Sequence, residues 1–367
     1  MKRFKALDVF RGLTVCLMII VNTPGDWSST FSPLLHAKWH GFTPTDLVFP
    51  SFLFAVGNAF AFVKAKWADK PLSEVFKKIA KRTLIIFLLG YTMYWIPFVS
   101  WTDTGDLAAV PFSETRILGV LQRIALCYFI GAVMIYFLTN KQLIIASVVI
   151  LLGYWGILSA FGDYTLEGNF TRTVDRLILG DSHLYMGNGI PFDPEGLLST
   201  LPSICNVLGG YLVGKYIIDG GINYEKLTKM LLAGAGLLVI AYLWDLGFPV
   251  NKKLWSSSFV VLTVGLDIVV LSILIYTIEF VKKPINYNFF EVFGKNPLFI
   301  YLLSEYVAIG MHFIRVDGEQ SLFSYVYQKG FSWIGPYFGS FAFAIVFMLF
   351  CWSLGLWLDK KKIYIKV

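Results

Sequence analysis

The sequence predicts an all-α protein, a polytopic transmembrane helical bundle of about ten spans with both termini cytoplasmic. Three observations predict it. The 367 residues are 56% hydrophobic and 17% aromatic but only 15% charged, where a soluble domain carries roughly a quarter charged residues; mean hydropathy is +0.65. Ten apolar runs recur, each near the roughly 20 residues that cross a bilayer core as a helix. Lysine and arginine gather in alternate connections, as cytoplasmic loops do.

The runs fall at about 9–25, 45–65, 82–99, 116–138, 142–160, 199–217, 228–247, 255–278, 296–313 and 337–358. The first, in "MKRFKALDVFRGLTVCLMIIVN", has a basic start and an apolar core. Asp8 and Arg11 interrupt its approach and no small-residue cleavage site follows, so it reads as an uncleaved span in which the two charges pair at (i, i+3). Lys2, Arg3 and Lys5 precede it. Lys64, Lys66, Lys70, Lys77, Lys78, Lys81 and Arg82 lie around the second-to-third connection, Lys282 and Lys283 in the eighth-to-ninth, and Lys360, Lys361, Lys362 and Lys366 in the tail. With ten spans, all four groups share the cytoplasmic side. The other side carries longer, more acidic loops, "SWTDTGDLAAVPFSETR" and residues 161–198 among them. The latter, rich in Gly, Asp, Asn and Pro, reads as irregular structure outside the membrane. No internal repeat is evident, and residues 1–367 read as one transmembrane domain.

The net charge of +7 sits in these topology-setting clusters rather than in a stripe, which argues against a nucleic-acid partner. Membrane lipid is the partner implied. Cys16, Cys127, Cys205 and Cys351 each stand alone in an apolar stretch, without the paired spacing of a disulfide framework or a zinc site. No metal is expected.

Polar groups concentrate on the predicted outer side. Asn22 ends the first span. His36, Trp39 and His40 follow, two of the four histidines lying within five residues, and Asp46 opens the second span. In "RILGVLQRIALCY", Arg116 and Arg123 are seven residues apart, about 10.5 Å along one face if both are helical, with Gln122 one position round. The loop before the sixth span adds Asp181, His183, Asp193 and Glu195, and "NKKLWSSS" opens the eighth. Arg123, two turns into an apolar helix, must face protein, a cavity or an anion; an ion pair with Asp46 or another carboxylate and a contact to substrate are both open. His36 is either an interfacial hydrogen-bonding residue or a general base or nucleophile whose tautomer Asp46 fixes. Asp267 and Glu305 fall inside spans and require a partner or a cavity. A sugar transporter or permease using the same polar cavity fits these residues as well as an enzyme does.

Seven blocks, in order, carry a resemblance: "LDVFRGLTVCLMIIVN", "HAKWHGFTPTDLVFPSFLFAVG", "RILGVLQRIALCY", "DRLILGDSHLY", "DPEGLLSTLPSI", "VNKKLWSSSFV" and "GKNPLFIY". Together, over nearly the whole chain, they resemble the heparan-alpha-glucosaminide N-acetyltransferase family of transmembrane acyltransferases. The resemblance implies transfer of an acetyl group from cytoplasmic acetyl-CoA to the amine of a glucosamine unit across a membrane. The family's active histidine precedes W-x-G and carries over to His36; the asparagine and aspartate of the blocks carry over to Asn22 and Asp46. His40 stands where lysosomal members have asparagine, which looks like the bacterial branch and implies a bacterial inner membrane, with the acceptor open. A homodimer is compatible with the resemblance. On this reading His36, Asp46 and Asn22 form the catalytic set, and Arg123, Gln122, Arg116, Trp39, His40, His183 and Asp193 contact acetyl-CoA or the acceptor. Lys78, Lys81 and Arg82 are candidate partners of the nucleotide phosphates. An acetyl-histidine route and direct transfer remain equally open.

Overall fold

The computed structural model describes residues 4–67, 69–102, 105–281, 287–316, 318 and 320–365. The topology-setting residues Lys2, Arg3, Lys282, Lys283 and Lys366 lie outside the described residues. Among the described residues there are thirteen α-helices: α1 (Lys5–Asn22), α2 (Pro44–Lys64), α3 (Leu72–Trp95), α4 (Val120–Phe137), α5 (Asn140–Phe161), α6 (Phe170–Leu179), α7 (Leu197–Ile218), α8 (Tyr224–Asp245), α9 (Ser257–Ile275), α10 (Asn288–Lys295), α11 (Pro297–Phe313), α12 (Leu322–Gly330) and α13 (Pro336–Lys360). Local chemistry starts them. Pro44, Pro297 and Pro336 occupy first helical positions, where a missing N–H costs nothing. Asn169, Asn223 and Ser256 accept backbone N–H groups at the starts of α6, α8 and α9.

The protein is a polytopic helical membrane protein. Every predicted run falls on a helix, and seven helices are long and apolar enough to cross a bilayer: α2, α4, α5, α7, α8, α9 with its continuation to Phe280, and α13. The other three depart for identifiable reasons. Lys5, Asp8 and Arg11 charge the first turns of α1, five charged side chains occupy the first half of α3, and α11 has 17 residues. Three features outside the spans were not expected. Residues 161–198 contain the ten-residue helix α6. Two short antiparallel hairpins, β1 (Val99–Trp101) with β2 (Leu107–Ala109) and β3 (Arg315–Val316) with β4 (Gln320–Ser321), decorate the loops. Helix α4 begins at Val120 after an extended Gly119, so Arg116 precedes the helix and does not share a face with Arg123.

Helix α2 is the axis of the bundle. It runs parallel to α7 and packs backbone against backbone through glycine: a Cβ on Gly57 would lie 1.9 Å from the Val207 carbonyl oxygen, and one on Gly210 would lie 2.0 Å from that of Phe54. Small residues at such seams let helices approach where lipid supplies no hydrophobic drive between them. Helix α4 continues the layer beside α7, with Gly131 against Val207. The starts of α2, α4 and α7 therefore meet at one end, together with the connections 23–43, 96–102, 105–119, 162–196 and 246–256; this is termed the loop end. Phe4, Lys66, Lys295 and Ile365 lie at the opposite end, termed the terminal end.

Candidate active site

The site at the loop end is built on the first turn of α2. Asp46 is the third residue of that helix, and its Oδ2 accepts the N–H of the capping residue Thr43 at 3.0 Å and that of Ala37 at 3.1 Å. Thr43 in turn donates its hydroxyl to the Leu35 carbonyl at 2.7 Å. These bonds wrap residues 35–43 onto the helix start and bring His36 over Asp46. Its Nδ1–H donates to Asp46 Oδ1 at 2.7 Å, which leaves the lone pair on Nε2. Asp46 is fully buried, whereas the imidazole keeps 43% of its surface open at the loop end.

A third member comes from the 246–256 connection. Lys252 Nζ lies 3.0 Å from each ring nitrogen of His36 and 4.0 Å from Asp46 Oδ1. Val250 and Asn251 anchor its backbone: Gly41 N–H donates to the Val250 carbonyl at 2.8 Å, and Asn251 Oδ1 accepts Leu254 N–H at 2.8 Å. Burial pushes the Lys252 amine down to about 8, against the pull of Asp46 and Glu195. Burial and the Lys252 charge hold His36 below its ordinary range, while Asp46 pulls the other way.

Beneath this triad lies a layer of arginines. Arg116 donates to both oxygens of Asp193, at 2.9 and 2.6 Å, and to Glu195 at 2.7 Å, with its guanidinium between the rings of Tyr94 and Tyr185. Against the cost of burial, Arg116, Arg123 and Lys252 hold the Glu195 carboxyl below its usual range. Arg123 is fully buried and does not pair with Asp46. Its Nη2 donates to the Gly196 carbonyl at 3.1 Å and to the Ser199 hydroxyl, and its guanidinium stacks over Trp255 at 4.8 Å. Arg123 Nε and Nη1 and both amide atoms of the adjacent Gln122 are buried without a hydrogen-bond partner. Donors left in that state are costly unless a ligand uses them.

The remaining predicted residues are placed as follows. Asn22 Nδ2 donates to Glu305 at 3.0 Å, which gives that intramembrane carboxylate its partner; no hydrogen bond joins Asn22 to His36 among the described residues. Trp39 donates to the Tyr164 carbonyl at 2.7 Å, packs edge-on against Phe192 and carries Lys253 over its ring at 5.9 Å, so one indole face is already occupied. His40 faces Asn251 at 3.4 Å. His183 Nδ1 bonds the Thr115 carbonyl at 2.7 Å, clipping two loops together. Asp193 is committed to Arg116. The second intramembrane carboxylate, Asp267, accepts the Ser51 hydroxyl, and Asp8 pairs with Arg11.

The terminal end holds a cavity of about 820 Å³ lined by Arg11, Lys66, Arg82 and Lys295 together with Asp8, in which Arg11 pairs with Asp8 and Lys295 with Asp359. It shares Arg11, Ala59 and Arg82 with a narrower space of about 110 Å³ that runs inward to Phe52, Ile86, Ile124 and Tyr128. Arg82 thus lines the cavity, whereas Lys78 is exposed and paired with Glu74 at 2.7 Å, and Lys81 is not among the lining residues. The apolar tongue stops beside Ile124, the residue after Arg123. Along α2 it stops at Phe52, six residues or about 9 Å from Asp46.

The profile described as "Heparan-alpha-glucosaminide N-acetyltransferase, catalytic" matches residues 3–220. The chain belongs to this family. It is similar to the heparan-alpha-glucosaminide N-acetyltransferases of Homo sapiens and Mus musculus, at 27% identity over 365 aligned positions in each case, covering 82% of this chain. The alignments take in 52% and 53% of those proteins, so the chain spans about half the length of the curated relatives it matches. The matched N-acetyltransferase region contains His36, Asp46, Arg123 and Glu195; Lys252 lies beyond it. Lys252 was also the residue missed from the sequence, although a signal existed: Lys252 and Lys253 sit side by side on the face where the positive-inside pattern leaves few lysines.

Proposed function

We propose that this protein transfers the acetyl group of cytoplasmic acetyl-CoA to the amine of a glucosamine-type sugar at the loop end, with His36 at the transfer site. One observation carries the reading. A cavity with an apolar tongue at one end of α2 points toward a carboxylate on the first turn of the same helix that holds the His36 imidazole. The cations lining the cavity suit the nucleotide phosphates, and the tongue suits a pantetheine arm, which can thread where a polyanion cannot. In this reading all ten long helices cross the membrane, the terminal end is cytoplasmic, and the membrane is a bacterial inner membrane.

The chemistry requires a group to take the amine proton and donors for the thioester oxygen. With Nδ1–H held by Asp46, Nε2 presents its lone pair. Either the sugar amine attacks the acetyl carbon while Nε2 takes its proton, or Nε2 attacks first and passes the acetyl group on. In both routes the carbon–sulfur bond breaks, the electron pair leaves with sulfur, the proton lost by the sugar amine passes to Nε2 and from there to the CoA thiolate or to water, and Asp46 offsets the charge on the imidazolium meanwhile. Glu305 engages one N–H of the Asn22 amide; the second N–H is our candidate donor to the oxyanion. Arg123 offers two more donors from below.

Purified protein given radiolabelled acetyl-CoA and glucosamine tests this directly. Labelled N-acetylglucosamine is expected from the wild type, with at least a hundredfold loss, about the scale of one acid–base group, in His36→Ala of unchanged elution profile. Full transfer by His36→Ala, or no acetyl-CoA binding by intact wild type, would overturn it; in the second case sugar flux into vesicles becomes the activity to measure.

A further inference from the structure

A buried carboxylate hydrogen-bonded to an imidazole favours its protonated form, and a protonated His36 has no lone pair for either acyl-transfer route. Asp46, fully buried and bonded at 2.7 Å, is such a carboxylate. Burial of the ring opposes it, and a cation beside the ring adds to that opposition. The groups facing the ring from neighbouring elements are Asp46 on α2, Glu195 from the 184–196 segment and Lys252 from the 246–256 connection. Two of these are anions that stabilise an imidazolium. The cation is Lys252, whose Nζ is 3.0 Å from both ring nitrogens.

We infer that Lys252 is the positioning residue that holds His36 neutral, with its proton on Nδ1 and its lone pair on Nε2. The geometry divides the roles. Asp46 accepts from Nδ1, and the Lys252 ammonium, equidistant from the two ring nitrogens at 3.0 Å, sits over the ring rather than along the in-plane Nε2 lone pair, which it leaves open. Protonating Nε2 would place two cations 3.0 Å apart, which Coulomb repulsion opposes. Lys252 feels the charges of Asp46, Glu195, Lys253 and Arg123; Asp46 Oδ1 lies 4.0 Å from its ammonium, and Glu195 is bonded to Arg116. The side chain is 16% exposed and its loop is pinned at Val250 and Asn251, so it acts from a fixed position. This inference takes its catalytic meaning from the acetyl-transfer reading, but the charge of His36 can be measured without that activity.

The test is the pH dependence of carbethoxylation of His36 by diethyl pyrocarbonate, which modifies the neutral imidazole. Peptide mass spectrometry separates His36 from His40, His183 and His312. In the wild type the midpoint should fall below 6.5. In Lys252→Met it should rise by about one to two pH units, and in Lys252→Arg, which keeps the charge, it should stay near the wild-type value. If the methionine variant fails to elute as a single species, Lys252→Gln makes the same comparison. Equal midpoints in wild type and the uncharged variant would overturn the inference. Acetyl transfer read on the same samples keeps the two proposals apart. A raised midpoint with no transfer by the wild type removes the enzyme and leaves Lys252 in its role. Normal transfer with an unmoved midpoint removes Lys252 alone.

Discussion

His36 and Asp46 are ten residues apart, joined by a loop that the cap of α2 pulls tight, and their pairing at 2.7 Å was legible from the sequence because it is local. Lys252 is 216 residues from His36, and single-sequence patterns say nothing about contacts across that distance. Arg123 was legible as a problem, a charge inside an apolar helix. Its solution was not, because Gly196, Ser199 and Trp255 come from two other elements. Two predictions belong at this scale. Asp46→Asn should leave acetyl-CoA KM unchanged and lower kcat by about a hundredfold or more, because an amide can hold the wrong tautomer of His36 and does not offset its charge; steady-state assays on sized, monodisperse protein check this. The pH profile should follow the sign of the His36 shift. On the proposed route the active form is the neutral ring, and the group is held below its ordinary 6.5. Activity should therefore rise with pH through a midpoint below 6.5 and be flat from there to neutrality. A midpoint above 6.5 would mean that Asp46 dominates.

Helix α2 links the two ends of the molecule, and α7 holds it in place. Gly57 and Gly210 face carbonyl oxygens across the seam at distances no Cβ can occupy, so Gly57→Leu should force the two helices apart. The expected result is a large drop in monodisperse protein and in melting temperature by fluorescence-detected size exclusion; Gly153→Leu on α5, where a Cβ would meet nothing within 4 Å, should leave both near wild type. Long apolar helices were the most legible elements, since ten runs of near-membrane length leave little choice of structure. Boundaries were less legible. Placing the start of α4 at Arg116 put two arginines on one helical face; in fact Gly119 adopts an extended backbone and the helix starts at Val120, which frees Arg116 to reach Asp193. Residues 161–198 look irregular in the sequence because of their Gly, Asp, Asn and Pro content, and the amphipathic stretch that makes α6 is only ten residues long.

Across the whole molecule, function rests on sidedness. The four cysteines described are buried, so single cysteines introduced at exposed sites can be labelled over a low background. Lys66→Cys should react with an impermeant maleimide only from the cytoplasmic side and Lys38→Cys only from the opposite side; reversal of either would invert the proposed path. Arg82→Ala, which removes one cation from the lining of the terminal-end cavity, should raise acetyl-CoA KM several-fold and weaken its salt dependence while kcat changes little. Neither the cavity nor its tongue could be read from the sequence, because their walls come from α1, α2, α3, α4, α11 and the chain's end at once.

Transmembrane transfer is tested most directly in sealed proteoliposomes holding one orientation, with radiolabelled acetyl-CoA on the terminal-end side of the membrane and glucosamine only on the loop-end side. Labelled N-acetylglucosamine on the loop-end side, free CoA retained on the donor side, and loss of both in His36→Ala are the predicted result. Product formed only when donor and acceptor share a compartment, or formed equally by His36→Ala, would contradict transfer through His36 across the bundle.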